Sequence, residues 1–339
     1  MYLTTIDEAL SMLDPKIRKR LGPATDIKIE MQPTPSVGLN KALGGGFPYG
    51  RQVMLWGSKS SAKSSLCLQT VGLAQKSGKL CAWIDAEMSY DEKWAEKLGV
   101  DTSQLIYSEA RSINDMVDVT IALLGAGVDL IVIDSISSLL PAVYFEKDSE
   151  ELKSLENVKQ IGAEAQDLKH AWKMINWANN REKASLVIAI SQSRNNIGAM
   201  YTQAVPTGGQ ASQFFSSTIV KLFSSPSDSQ AIKGKIRVGD KLIEQKVGRR
   251  VRWEVQYAKT SAPGDSGEYD FYFKGDLTGI DSIADLVDTA ELNGLVERTG
   301  AWYKLPDGGK VQGRDAFIEY VKENKDYQKD LVEKLNGQV

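Results

Sequence analysis

Residues 51–65 read RQVMLWGSKSSAKSS, and the fold follows from how this stretch is parsed. Val53, Met54, Leu55 and Trp56 form an apolar run of strand length, Gly57 to Lys63 are small or polar, and a helical pattern runs from Ser64 through Gln75. A strand, a loop of small residues and a Lys-Ser pair opening a helix are the parts of a phosphate-binding loop. Backbone N–H groups at the helix N-terminus face the anion, Lys63 reaches the β/γ oxygens and the Ser64 hydroxyl ligates Mg2+. Ala62 stands where the consensus asks for glycine, and its Cβ is tolerable if φ stays negative there. The competing reading is a serine-rich connection between an ordinary strand and helix, and the downstream pattern argues against it.

Strands and helices alternate after this loop, which predicts an α/β fold with a mostly parallel sheet. Leu80 to Ile84 ends in Asp85-Ala86-Glu87, a helix over Asp91 to Leu98 leads to Leu105-Ile106-Tyr107, and a helix from Ile113 to Leu124 precedes Asp129 to Ser135. Ile131-Val132-Ile133-Asp134 is a buried strand that delivers a carboxylate at its C-terminal edge, the place for an acid holding the Mg2+ water shell. Glu87 ends a neighbouring strand, where ligands of open α/β sheets bind. A carboxylate there can deprotonate an attacking water, or simply cap a helix. Leu186 to Ile190 ends Ser191-Gln192-Ser193-Arg194, placing a polar side chain at the same edge, where it can sense a γ-phosphate.

With 41 Lys+Arg against 44 Asp+Glu the net charge is −3, which excludes a uniformly basic nucleic-acid coat but not a local basic stripe. Cys67 and Cys81 fall inside predicted core elements and read as small buried hydrophobes, and a single histidine, His170, argues against a zinc site. The N-terminus lacks a basic segment followed by an apolar run and no stretch approaches a membrane span, so a cytoplasmic protein without membrane contact is expected.

Thr5 to Arg20 has helical spacing interrupted at Pro15 and cannot bury its apolar stripe within itself, so it is expected to dock on the core or on another subunit. Two long polar segments, about 145–161 and 194–210, sit at the ligand edge of the sheet. The second combines Gly208-Gly209 with Ile197, Met200, Tyr201 and Val205, a composition suited to following a sugar-phosphate backbone or to an unstructured surface loop. Ile232 to Tyr257 reads as antiparallel strands with a basic face carrying Lys233, Lys235, Arg237, Lys241, Lys246, Arg249, Arg250 and Arg252. Helices at Ile283 to Ala290 and Asp315 to Asn324 flank Gly300 to Lys304, predicting a small α+β domain at the end.

The order of these motifs resembles the bacterial RecA family of recombinases over nearly the full length. The resemblance is carried by Gly44 to Arg51 (GGGFPYGR), Cys81 to Glu87 (CAWIDAE), Ile131 to Ser135, Gln192 to Met200, Thr207 to Gln210 (TGGQ), Ala262-Pro263 and Leu295 to Tyr303 (LVERTGAWY). It implies a RecA-type P-loop NTPase core over 25–277, preceded by an N-terminal docking helix (1–24) and followed by a C-terminal domain (278–339). It further implies that Gly57, Ser58, Lys59, Ser60, Ser61, Ala62, Lys63, Ser64 and Ser65 bind the triphosphate of ATP, Asp91 and Trp94 meet the adenine, and Ser64 and, through water, Asp134 hold Mg2+. Glu87 would activate water with Lys63, Gln192 and Lys259 as its catalytic partners, the last acting with Phe214 on a neighbouring protomer's nucleotide.

Ile161, Lys173, Arg194, Ile197, Gly208, Gly209 and Gln210 would line the DNA path. The implied function is ATP-dependent filament formation on single-stranded DNA, homologous pairing and strand exchange with duplex DNA, without sequence specificity and with DNA-stimulated ATP hydrolysis. The chain departs from the family at Ala62, at Tyr257 and Gln213 where cations are usual, and at Asn195-Asn196. A mediator of the same fold with weak ATPase, or a hexameric RecA-fold helicase, are the alternatives.

Overall fold

The structure is a computed structural model, and it describes residues 5–18, 21, 29–146, 151–154, 162–179, 184–195, 204–207, 213, 215–224, 230–238, 241–275 and 277–337. The chain divides into Met1–Glu30 and Met31–Val339. In the first unit, α1 (Ile6–Ser11) starts where the Thr5 hydroxyl accepts the Glu8 N–H at 3.2 Å, with Asp7 and Glu8 in the first turn favoured by the helix dipole. A separate turn, α2 (Pro15–Arg18), begins at Pro15, the position where a missing N–H costs nothing, and the Asp14 carboxylate accepts the next N–H, from Lys16, at 2.8 Å. The interruption expected at Pro15 is therefore present.

The second unit opens with β1 (Met31–Gln32), α3 (Val37–Ala42) and β2 (Phe47–Pro48), then reaches β3 (Gln52–Gly57) and α4 (Lys63–Lys76). The core continues through β4 (Cys81–Asp85), α5 (Glu92–Lys97), β5 (Leu105–Glu109), α6 (Ile113–Ala126), β6 (Leu130–Asp134), α7 (Ala163–Ala178) and β7 (Leu186–Asn195). After β8 (Ala204–Pro206) come β9 (Thr218–Phe223), β10 (Ala231–Val238), β11 (Lys241–Ala258), β12 (Ser266–Tyr272) and β13 (Gly279–Ile280). Strands β9-β3-β7-β6-β4-β5 are parallel neighbours, and β11, β12 and β13 extend the sheet antiparallel beyond β9.

Because β3, β4 and β6 are buried on both faces, they are apolar without alternation, as parallel strands must be. Val53 and Leu55 enter one layer with Leu66, Val71, Trp83, Val132 and Ile188. Ile84, Ile131, Ile133, Met116, Leu168 and Trp172 fill the layer on the opposite face. Cys67 and Cys81 are free and buried, as small core residues. Leu55 is fully buried, so Leu55→Ala would cost ~2–5 kcal/mol.

The C-terminal elements are α8 (Ser282–Leu292), β14 (Arg298–Thr299), β15 (Trp302–Lys304), β16 (Lys310–Gln312), α9 (Arg314–Glu323) and α10 (Lys325–Asn336). They share an apolar cluster of Leu286, Val287, Val321, Leu331 and Leu335 around the Tyr303–Phe317 stack, whose rings lie 4.7 Å apart. Helix α10 was not anticipated, although Tyr327, Leu331 and Leu335 repeat every fourth residue.

Candidate functional site

Sheet register brings the ends of four strands to one rim. Gly57 pairs with Gln192 on β7 and with Leu222 on β9, Asp85 pairs with Asp134, and Ile133 pairs with Ala189. Gly57 has a packing requirement of its own: a Cβ there would lie 1.7 Å from the Leu222 carbonyl oxygen. Between Gly57 and α4 the loop turns through Ser60 at φ 61° and Ala62 at φ 61°, ψ 27°. The condition of negative φ for a Cβ at Ala62 is thus not met, because the helix starts directly from a left-handed residue. Ala62 supplies no side-chain cap, so the first-turn N–H groups of α4 remain available to an anion.

Lys63 Nζ donates to the carbonyl oxygens of Ser58 (2.8 Å) and Gly57 (3.2 Å), and reaches Ser61 Oγ at 3.4 Å. Burial pulls its pKa below the ordinary lysine value, and Asp134 and Glu87 work against that. Ser58 Oγ is buried without a partner in the same loop. Asp134 is held up to about 6 chiefly by burial, a shift eased by its hydrogen bond from Ser64 and reinforced by Glu87 and Asp85. An unpartnered hydroxyl, a lysine folded onto loop carbonyls and an all-oxygen Ser64–Asp134 pair fit a magnesium-bound triphosphate. Among the described residues no group of three or more His, Cys, Asp or Glu side chains could hold a metal ion.

Glu87 does not cap a helix. Its Oε1 accepts Ser135 Oγ at 2.5 Å and Gln192 Nε2 at 2.6 Å, while the cap of α5 is Asp91, whose Oδ1 accepts the Trp94 N–H at 3.0 Å. Sequence reasoning missed Asp85, which shapes the turn carrying Glu87 by accepting the N–H groups of Glu87 (3.0 Å), Ser89 (2.9 Å) and Tyr90 (2.9 Å). The signal was available: Asp85 ends its strand as Asp134 ends the next. Trp94 places its indole N–H 3.4 Å from Ser65 Oγ, and a cavity of ≈ 450 Å³ beside it is lined by Phe273, Ile236 and Gln245 among others.

Strand β7 runs past Gln192 to Asn195 and pairs antiparallel with β8, so within the segment expected to be a loop from 194 to 210, residues 194–195 and 204–206 are strand. The Gln192 N–H donates to Ser137 Oγ at 2.8 Å. Its carbonyl accepts both the N–H and the hydroxyl of Thr207 at 3.2 Å, and Ser191 Oγ accepts the Thr207 N–H at 3.0 Å. Arg194 pairs with Glu164 on α7 at 3.3 Å, and Lys173 lies exposed further along that helix. Ile161, Ile197, Gly208, Gly209, Gln210 and Phe214 lie outside the described residues.

Lys259 is not at this rim. It follows Ala258, which pairs with Thr218, and Thr218 in turn pairs with Val53 at the opposite end of β3. Four residue steps along the strand take Val53 to Gly57, about 13 Å, so Lys259 is remote from the Lys63–Glu87–Gln192 group of its own chain.

Sequence profiles of the RecA N-terminal domain and the RecA C-terminal domain match residues 5–278 and 284–339. The chain belongs to the RecA family. It is similar to a protein named Protein RecA from Clostridioides difficile (strain 630), 32% identical over 342 residues, covering 99% of this chain and 92% of that relative. Protein RecA of Picosynechococcus sp. is 31% identical over 318 residues, covering 93% and 85%, and that of Thermus aquaticus 29% over 342 residues, covering 99% and 93%. Since both RecA domains match, this RecA-family chain is a recombinase, and the weak-ATPase mediator and hexameric helicase alternatives are not favoured. Among its described residues no helix is long and apolar enough to cross a membrane.

Proposed function

We propose that this RecA-family recombinase binds ATP and Mg2+ at the rim and assembles as a helical filament on single-stranded DNA in the cytoplasm. DNA-stimulated ATP hydrolysis then accompanies homologous pairing and strand exchange with duplex DNA, without sequence specificity. The observation that carries this reading is the 2.6 Å contact between Gln192 Nε2 and Glu87 Oε1, with Thr207 fastened to the backbone of Gln192. One side chain touches the candidate general base while its own main chain, leading into the candidate DNA loop, also holds Thr207 of that loop.

The residues take the following roles. Lys63 and the N–H groups opening α4 hold the phosphates, with Gly57 to Ser65 forming the cradle, Asp91 and Trp94 bordering the base, and Ser64 and Asp134 facing the metal. Bound Mg2+ supplies neutralisation of phosphoryl charge. Glu87 accepts the proton of the attacking water, and Ser135 and Gln192 keep its carboxylate aimed. A γ-phosphate competing for the Gln192 amide loosens it from Glu87 and resets the segments that carry Arg194 and Thr207. Lys173, Arg194, Ile161, Ile197, Gly208, Gly209 and Gln210 then line the DNA path. The distance of Lys259 from its own rim supports its action, with Phe214, on the nucleotide of an adjacent protomer.

ATP hydrolysis is to be measured with and without single-stranded DNA for the native chain and for Glu87→Gln, alongside electron microscopy with a slowly hydrolysed ATP analogue. Stimulation by DNA, its loss in the variant, and helical filaments support the assignment. Equal rates with and without DNA, or closed rings, count against it.

A further inference from the structure

The phosphate loop holds two residues with side chains, Ser60 and Ala62, in the left-handed region where glycine is the natural occupant. Such a loop needs an external hold, and the structure contains one. The Ser60 carbonyl oxygen accepts Arg249 Nη1 at 2.8 Å and Ser224 Oγ at 3.3 Å. The two donors come from different places, Arg249 from β11 and Ser224 from just beyond β9, the strand that pairs with β3. The guanidinium of Arg249 also lies over the Phe273 ring, 5.5 Å from its centroid.

The other arginines here are committed elsewhere. Arg250 pairs with Glu268 (3.1 Å) and Asp270 (3.0 Å), and Arg252 pairs with Glu268 (3.6 Å), on the neighbouring strand β12. Arg249 alternates to the opposite side of β11 from Arg250, as successive strand residues do.

The Ser60 carbonyl and the Ser61 N–H belong to one planar peptide and point in opposite directions. Fixing the oxygen outward therefore fixes the amide direction as well. The Ser61 N–H is only loosely engaged within the loop, 3.4 Å from the Ser58 carbonyl oxygen, so it remains available to a stronger acceptor placed along the direction the peptide sets.

We propose that Arg249 is a positioning residue for ATP binding: through the Ser60 carbonyl it sets the peptide that aims the Ser61 N–H at the phosphates, supplying from β11 the constraint that this alanine-bearing loop does not obtain from glycine. The inference rests on the reading of Gly57 to Ser65 as the triphosphate cradle.

The test is a set of Kd values for MgATP, read with a fluorescent ATP analogue, for the native chain and for Arg249→Ala, Arg249→Lys, Ala62→Gly, Ala62→Gly/Arg249→Ala and Lys63→Ala. Melting without nucleotide is followed in parallel. Loss of one charge-assisted hydrogen bond is expected to weaken binding about fivefold in Arg249→Ala, and Arg249→Lys, keeping the charge with a single donor, recovers about half of that on a logarithmic scale. With glycine at position 62 the loop reaches its conformation unaided, so the double variant binds within about twofold of Ala62→Gly. KM for ATP rises more than kcat falls, the split expected of ground-state positioning.

An unchanged Kd in Arg249→Ala overturns the proposal. A loss that Ala62→Gly does not rescue assigns Arg249 to direct contact with nucleotide if melting is unchanged, or to general stability if melting falls, and either also overturns it. If Lys63→Ala binds as tightly as the native chain, the cradle reading itself has failed instead.

Discussion

Replacing Ala62 by glycine removes a Cβ from a residue held at φ 61°, ψ 27° immediately before α4. A left-handed conformation costs an L-residue with a Cβ ~1–2 kcal/mol, and glycine does not bear that cost. Against it, glycine gives the unfolded chain more freedom, worth roughly 0.4–1 kcal/mol. Ala62 also lacks any side-chain cap bond that the substitution would forfeit. The balance favours Ala62→Gly by about 0.5–1 kcal/mol, and Ala62→Val, whose branched side chain is stiffer still, moves the other way. For a chain of this length the unfolding entropy is large, so the shift in Tm is only about 1–2 °C. Chemical denaturation resolves it better, as a rise in midpoint with unchanged slope. If Ala62→Gly lowers the midpoint, the left-handed assignment at position 62 and the argument built on it are wrong.

Glu87→Gln keeps the shape at the Ser135 and Gln192 contacts but removes the base, so kcat should fall ~10²–10⁴-fold while nucleotide affinity stays within a few-fold; an equal loss in both would make Glu87 a binding residue. Asp85→Ala leaves three backbone N–H groups of the turn without their acceptor and should cost ~1–3 kcal/mol of stability together with a larger loss in kcat than in KM, seen by combining denaturation with steady-state kinetics. Asp134, with its folded pKa raised to about 6, is protonated progressively as pH falls through 6, so Mg2+-dependent nucleotide binding should weaken about tenfold per pH unit below that value. The same raised pKa means that ionising this buried carboxylate costs the metal-free fold stability as pH rises from about 4 to 6. Without Mg2+, Asp134→Asn should therefore melt higher than the native chain above pH 6, with the difference vanishing toward pH 4.

The parallel strands were legible because burial on both faces writes them as apolar runs, and the acids ending β4 and β6 marked their carboxyl edge. Gln192 was placed correctly for the same reason, since it follows directly on such a run. The contacts that make a site of that edge were not legible: Ser135 and Gln192 converge on one oxygen of Glu87 from residues 48 and 105 positions away. Nothing in the residue Ala62 announces positive φ, because the loop's hydrogen bonds set it against local preference. Arg249 illustrates the same limit, being one of a run of cations whose different commitments depend on which side of β11 each faces. The extension of β7 to Asn195 was hidden by the polar composition of 191–195, where pairing with β8 and the hold on Thr207 outweigh weak strand propensity.

The central claim is that nucleotide state controls the grip on DNA through Gln192. It is tested most directly by measuring single-stranded DNA affinity across a salt series, with and without a slowly hydrolysed ATP analogue, for the native chain and for Gln192→Ala. The account predicts that the analogue tightens DNA binding at least tenfold in the native chain and hardly at all in Gln192→Ala, although both still bind the analogue. Native DNA affinity indifferent to nucleotide, or full tightening retained in Gln192→Ala, would contradict it.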